Sequence, residues 1–256
     1  MVPFVDVHCH LLAGLDDGPQ TLDQAISMCE LAGQDGVRLI AATAHINEDW
    51  PNVTPEKIRQ STARLTDALR DRDLPLDIVP SSEVMVVADI EDVWERGELL
   101  SIADQNKYLL IEQPHEVFVD LREIVINLVE MGLRPILAHP ERVPQYLHTP
   151  GIIEDLVALG CVLQINADSI ARPRRRDDER ALRQWAKRGL VHLVASDGHS
   201  VDRRPPGISA AFNRLASWTT RQVAIRACSS NGFAVLRGFP LHLPQVMPLK
   251  KRTWMS

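Results

Sequence analysis

The chain has 256 residues, 45% of them apolar and 24% charged, the balance of a globular protein with a full core and not of a disordered one. A net charge of −6 excludes a nucleic-acid-binding surface spread over the whole molecule. Cys9, Cys29, Cys161 and Cys228 are far apart without a Cys-x-x-Cys pair and read as reduced thiols. No apolar run approaches the ~18 residues that span a bilayer, and the N-terminus has no basic leader, so a cytoplasmic protein without membrane insertion is expected.

Phe4-Val5-Asp6-Val7-His8 has strand length, and residues two apart in a strand face the same way, so His8 and His10 emerge together while Cys9 points elsewhere. Behind them lies the turn Asp16-Asp17-Gly18. Thr21 to Gln24 has the capping-box pattern, and Leu22, Ala25, Ile26, Cys29 and Ala32 continue it as a helical stripe. Arg38 to Thr43 reads as a buried strand finishing at His45, and Thr54-Pro55 opens a second helix. The third strand is expected over Asp77 to Pro80, ending at Glu83, with a broken helix from Ala88 to Asp104. Tyr108 to Ile111 ends at Glu112, a helix follows through Leu128, and Pro135 to Ala138 runs into His139. Helices near Ile152 to Leu159 and Asp177 to Arg188 flank a sixth strand, Cys161 to Ile165. The last strand, His192 to Ala195, leads to Ser196-Asp197-Gly198-His199.

Seven strands, most followed by a helix, predict an α/β parallel sheet closed into a barrel. A single domain over residues 1–240 is expected, with 241–256 as a tail along the surface. In such a barrel the site lies at the C-terminal ends of the strands. Six of the strands end in a potential ligand: His8 and His10, His45, Glu83, Glu112, His139, then Asp197 and His199, with Asp17 added by the first loop. Spacing alone leaves Asp16 and Asp17 as alternatives. So many nitrogen and oxygen donors exceed the needs of one ion and imply two or three divalent metals. Ions about 3.5–4 Å apart suit in-line phosphate-ester hydrolysis. Arg142 and Arg204, on strand-end loops, can hold phosphate oxygens bidentately.

His8-Cys9-His10, Leu15-Asp16-Asp17-Gly18, Ala42-Thr43-Ala44-His45, Leu110-Ile111-Glu112, Leu137 to Arg142, Gln164 to Ala167, Ala195 to His199 and Arg204-Pro205-Pro206 resemble the PHP (polymerase and histidinol phosphatase) superfamily. More narrowly they are similar to the bacterial metal-dependent tyrosine phosphatases of capsule and exopolysaccharide gene clusters, the CpsB/YwqE type. The resemblance implies a distorted (β/α)7 TIM-like barrel with a trinuclear site, usually described with manganese, although iron, zinc or cobalt suits the same donors. It implies His8, His10, Glu83 and Asp197 on one metal, Glu83, Glu112 and His139 on a second, and Asp17, His45 and His199 on a third. It implies Arg142 and Arg204 as phosphate ligands, and a phosphotyrosyl protein, the tail of a bacterial tyrosine kinase, as substrate. Ala44-His45-Ile46 departs from the usual Pro-His-His, Gly198 stands where alanine is usual, and Gln113 replaces an aromatic or aliphatic residue; each bears on substrate preference and none removes a ligand.

A cysteine-based phosphatase needs Cys-x5-Arg, and the residues six beyond the cysteines are Leu15, Asp35, Ala167 and Ala234. His115 reads first as a surface-loop residue and second as a proton donor to a leaving phenolate. Arg172 to Arg176 reads as a loop into a helix, with guidance of an acidic peptide as its second reading. The competing functions are a small-molecule phosphatase such as histidinol-phosphatase, a phosphodiesterase on nucleic-acid ends, and a non-catalytic metal-stabilised module.

Overall fold

The computed structural model describes residues 2–114 and 117–243. Seven strands, β1 (Phe4–His10), β2 (Val37–Ile46), β3 (Asp77–Met85), β4 (Tyr108–Glu112), β5 (Arg134–Ala138), β6 (Val162–Asn166) and β7 (Leu193–Ala195), pair in parallel in chain order. Past β7 the chain returns to β1: Cys9 bridges to Gly198, the His10 amide donates to the Gly198 carbonyl at 2.8 Å, and the Asp197 amide donates to the His8 carbonyl at 2.8 Å. Those bonds close the expected seven-stranded barrel at its upper seam.

The helices follow the sequence pattern where capping chemistry is explicit. In α1 (Leu22–Asp35) the Gln24 amide donates to Thr21 Oγ1 at 3.3 Å while the Thr21 amide donates to Gln24 Oε1, the reciprocal box the sequence predicts. In α2 (Pro55–Arg70) Thr54 accepts from the Lys57 amide at 3.3 Å. Next come α3 (Ile90–Glu95), α4 (Arg122–Glu130), α5 (Pro144–His148), α6 (Pro150–Ala158), α7 (Ala167–Ala171) and α8 (Arg176–Arg188). The broken helix expected over 88–104 is α3 followed by a short 3-10 turn at Ile102–Asp104. β3 is longer than expected, so Glu83 lies inside it and not past its end. Residues beyond Pro206, unassigned from the sequence, form α9 (Ser209–Trp218), α10 (Arg221–Ile225), a π-helical turn at Arg226–Ser230 and α11 (Asn231–Leu236).

Alternation along the strands separates two cores. Val5, Val7, Leu39, Ala41, Leu110, Ile136, Val162 and Leu193 fill the barrel interior, while Ile40, Ala42, Leu109, Ile111, Leu137, Leu163 and Val194 face the helices. The lower end is plugged by Val235 and Leu236 of α11 and by Leu241. Leu241, the first residue of the expected tail, is buried and tied down: its amide donates to Tyr108 Oη at 3.0 Å and its carbonyl accepts from Arg134 Nη1 at 2.5 Å. Residues 244–256 of that tail lie outside the described residues.

His192 marks this lower end. It is buried, and Nδ1 accepts from the Leu163 amide at 2.9 Å, which requires a bare ring nitrogen. Burial and then the Arg134 cation push its pKa down from 6.5 to about 4. The unfolded chain therefore takes up this proton before the folded one, and stability is whole above about pH 6.5 and is lost as pH falls toward 4. His192→Gln, which keeps an acceptor, is expected to remove about 2 kcal/mol of the difference in unfolding free energy between pH 7 and pH 5. Urea titrations of both proteins at the two pH values measure it; parallel pH dependence would refute the assignment.

Candidate metal centre

β1 delivers His8 and His10 through an irregularity that the sequence does not announce. Val5 and Val7 point into the barrel, and simple alternation would send His8 and His10 out toward the helices. Asp6 pairs with Ile40 and Cys9 with Ala42, so three steps on β1 oppose two on β2. This β-bulge turns both imidazoles inward and sends Cys9 to the outer core. The buried Asp6 carboxylate holds the bulge: its Oδ1 accepts from the His8 amide at 3.2 Å and from the Ser196 amide at 3.0 Å.

Glu83 reaches in from β3 among four imidazoles. Its Oε2 lies 3.1 Å from His8 Nε2, 3.3 Å from His10 Nε2 and 3.2 Å from His45 Nδ1, and its Oε1 lies 2.9 Å from His139 Nε2. Glu112 at the end of β4 is 3.4 Å from His139, and Asp197 Oδ1 is 3.5 Å from His8 Nε2. Asp17 Oδ1 stands 3.2 Å from His199 Nε2 and 3.5 Å from His45 Nε2. Four interleaved groups result, with ligand atoms within 4.8 Å of one another: His10, Asp17, His45, His199; His8, His10, Asp197; His8, Glu83, His139; and His45, Glu83, Glu112. They contain all nine predicted donors. His139 and Asp197 have φ of 30° and 51°, left-handed values uncommon outside glycine, and such strain concentrates at functional sites.

The donor chemistry fits divalent cations. Gln164 Oε1 lies 2.9 Å from His8 Nδ1 and Asp16 Oδ2 lies 2.7 Å from His10 Nδ1, so both histidines carry their proton on Nδ1. The two Nε2 lone pairs then face each other across 3.1 Å beside a carboxylate, an arrangement that a cation between them makes favourable. His45 Nδ1, Glu83 Oε2 and His199 Nε2 are buried without a well-formed hydrogen bond. Burial and then the Glu83 charge push Glu112 up to about 7. At Asp17, burial raises the pKa but the neighbouring imidazoles outweigh it and leave it at about 2.

Asp16 and Asp17 divide their work. Asp16 is buried and takes the His10 imidazole, the Gly18 amide at 3.0 Å and the His45 amide at 3.0 Å, which occupies both its oxygens. Asp17, with its side chain 49% exposed, is the one that faces His45 and His199. On the rim, Arg142 Nη1 donates to Asp197 Oδ2 at 3.0 Å, and Arg204 Nη2 donates to the same oxygen. Asn166 Nδ2 donates to it at 2.7 Å, and the Asn166 amide is held by Glu141 Oε1 at 3.0 Å. His115 lies outside the described residues. Arg172 is paired to Asp168 at 2.6 Å. Asp6, Gln164 and Asn166 were not assigned roles from the sequence, and Asp16 entered there only as the alternative ligand to Asp17; the signal available for Gln164 and Asn166 was polar side chains at alternate positions of an otherwise apolar strand.

The model of a family described as capsular polysaccharide synthesis, CpsB/CapC, matches residues 4–237. The chain belongs to the CpsB/CapC family. Among its relatives, tyrosine-protein phosphatase YwqE of Bacillus subtilis is 32% identical over 201 residues, covering 78% of this chain and 79% of that protein. Tyrosine-protein phosphatase CpsB of Streptococcus pneumoniae is 27% identical over 218 residues, covering 83% of this chain and 89% of that one. A solved structure from work on these two proteins, described there as unique metal-dependent tyrosine phosphatases, superposes with a TM-score of 0.89 at 28% identity, over 96% of this chain and 100% of that chain. A β-aspartyl dipeptidase from Fervidobacterium islandicum, at 13% identity and a TM-score of 0.55, covers 96% of this chain and 76% of that one and shares the fold alone. The barrel expected from the sequence is thus the fold of this CpsB/CapC member.

Because Asp16 sets the His10 tautomer and ties the β1 and β2 loops together, Asp16→Ala is expected to weaken divalent-metal affinity about 10–100-fold while the fold persists. Metal titration with circular dichroism as the folding control measures it. Unchanged affinity in a folded variant would show that Asp16 does not orient a ligand.

Proposed function

We propose that this chain is a metal-dependent phosphomonoesterase that hydrolyses phosphotyrosine in protein. The observation that carries the reading is the convergence of nine nitrogen and oxygen donors at one barrel mouth beneath two arginines that share a carboxylate oxygen. Family membership, and relatives named as tyrosine-protein phosphatases, support it.

His8, His10, Asp17, His45, Glu83, Glu112, His139, Asp197 and His199 would hold two to three divalent ions, with manganese as the proposed metal. Bound there, the ions supply Lewis-acid charge and a water acidic enough to attack phosphorus at neutral pH. Arg142 and Arg204, with side chains 41% and 35% exposed, stand at the entrance where they can exchange part of their contact with Asp197 for phosphate oxygens. Their fixed positive charge neutralises the charge that grows on the equatorial oxygens in the transition state. Asn166 keeps Asp197 in place when a guanidinium leaves it. Asp16 and Gln164 hold the imidazoles of His10 and His8 in one tautomer.

The thiols have no part in this chemistry. All four cysteines are buried, and burial pushes Cys29 and Cys161 up to about 12. Among the described residues no helix is long and apolar enough to cross a membrane. The physiological substrate in this reading is the tyrosine-rich tail of a bacterial kinase that controls polysaccharide export.

Hydrolysis of p-nitrophenyl phosphate and a phosphotyrosyl peptide is expected to survive thiol alkylation and to be abolished by a chelator. Arg204→Ala is expected to lower kcat/KM about 10²–10³-fold with metal content per chain unchanged. Activity that resists chelation would overturn the reading. Preference for histidinol phosphate or oligonucleotide ends over phosphotyrosyl peptide would keep the metal centre and move the substrate.

A further inference from the structure

The mouth of the barrel is chemically lopsided. Over the ends of β2, β3 and β4 runs an open groove of about 1100 Å³ that starts one or two residues past three of the proposed ligands, at Ile46, Val84 and Pro114. Its apolar surface includes Trp50, Val86, Val87 and Val117, and of these Val117 is 65% exposed. Its rim carries Glu48, Asp49, Asp89 and Glu98, and among the described residues no lysine, arginine or histidine lines it. Glu98 is paired to Arg96 at 2.7 Å, whereas Glu48, Asp49 and Asp89 make no ion pair among the described residues. Across the metal centre the wall is of mixed charge: Arg203 and Arg204 line a smaller recess with Asp17, Asp202 and His199.

A phosphate dianion is repelled by the first wall, and the guanidiniums that can meet it, Arg142 and Arg204, stand over Asp197 outside that groove. The groove therefore has no business with the phosphate and is built for what flanks it. An apolar floor with carboxylates at its edge matches a side chain that has an alkyl stem and a cationic head. We infer that the groove over β2–β4 is a specificity subsite that takes a lysine or arginine flanking the phosphotyrosine of the substrate. This inference rests on the phosphotyrosine reading above and adds to it a sequence preference in the substrate. Discrimination comes as much from rejection as from attraction, since an acidic flank would place like charges beside Glu48 and Asp89.

The test uses the metal-loaded full chain and phosphotyrosyl peptides that differ only in the residues two and three positions on either side of the phosphotyrosine: lysine, leucine or glutamate. Rates are divided by each protein's own rate on p-nitrophenyl phosphate, which has no flank. The wild type is expected to favour lysine over glutamate by about fivefold to tenfold in kcat/KM, with leucine between, and the ratio is expected to shrink as salt is raised. Glu48→Lys combined with Asp89→Lys, both exposed positions, is expected to erase or invert the ratio. Equal rates on all flanks, a preference for leucine over lysine, or a lysine preference that survives the double substitution would each overturn the subsite while leaving the phosphatase reading intact. Hydrolysis of p-nitrophenyl phosphate with no peptide hydrolysed would overturn both.

Discussion

Glu83 sits on β3 with its two oxygens 2.9 to 3.3 Å from the imidazoles of His8, His10, His45 and His139, and the upper half of the molecule is arranged around that crowding. A carboxylate buried this deeply is costly unless positive charge or hydrogen-bond donors meet it. Four different strand ends have to converge for the cluster to exist, which a barrel of parallel strands provides and an open sheet does not. The bridges between β1 and the segment after β7 serve the same end, because Asp197 and His199 reach the cluster only if that seam is closed.

Around the donors lies a ring of side chains whose work is orientation. Asp16 and Gln164 choose the tautomers of His10 and His8, Asp6 holds the bulge that turns both histidines inward, and Asn166 steadies Asp197 beneath two guanidiniums. These contacts make the cage rigid in the direction that matters, with lone pairs aimed at common points. The arginines differ from these orienting side chains in standing 41% and 35% exposed at the rim. The same mouth is acidic and apolar on the β2–β4 side and of mixed charge beyond β7, where Arg203 and Arg204 stand with Asp17 and Asp202.

The lower end of the barrel shows the opposite logic. Val235, Leu236 and Leu241 close it, and Arg134 and Tyr108 hold the chain there by backbone contacts. His192 stays neutral in this region because a buried cation beside Arg134 would be unfavourable. Among the described residues nothing at this end gathers metal-binding donors, in keeping with the division of such barrels into a chemical top and a stabilising bottom.

Strand-helix alternation, the two helix caps at Thr21 and Thr54, and a histidine or carboxylate at nearly every strand end were legible in the sequence, because they depend on neighbours within a few residues. The nine donors and both arginines could be named for the same reason: each follows an apolar run of strand length. Other features depend on pairing across the fold. The bulge at Asp6 is a mismatch between β1 and β2, visible only once Ile40 and Ala42 are opposite it. Asp16 and Asp17 are adjacent and alike, and their roles separate only through contact with His10, more than one turn away, and with His45 and His199 on other strands. The helices after Pro206 were not assigned from the sequence, although Thr220 caps α10 by accepting from the Val223 amide; α9 packs on α7 and α8, and α11 and the π-helical turn pack on β1. The sequence by itself determined which nitrogen and oxygen donors and which two arginines would meet at one end of a barrel. Tertiary structure decided which of them face the centre, which hold the others in place, and how charge is distributed around the mouth, since these depend on distances between strands that no local pattern contains.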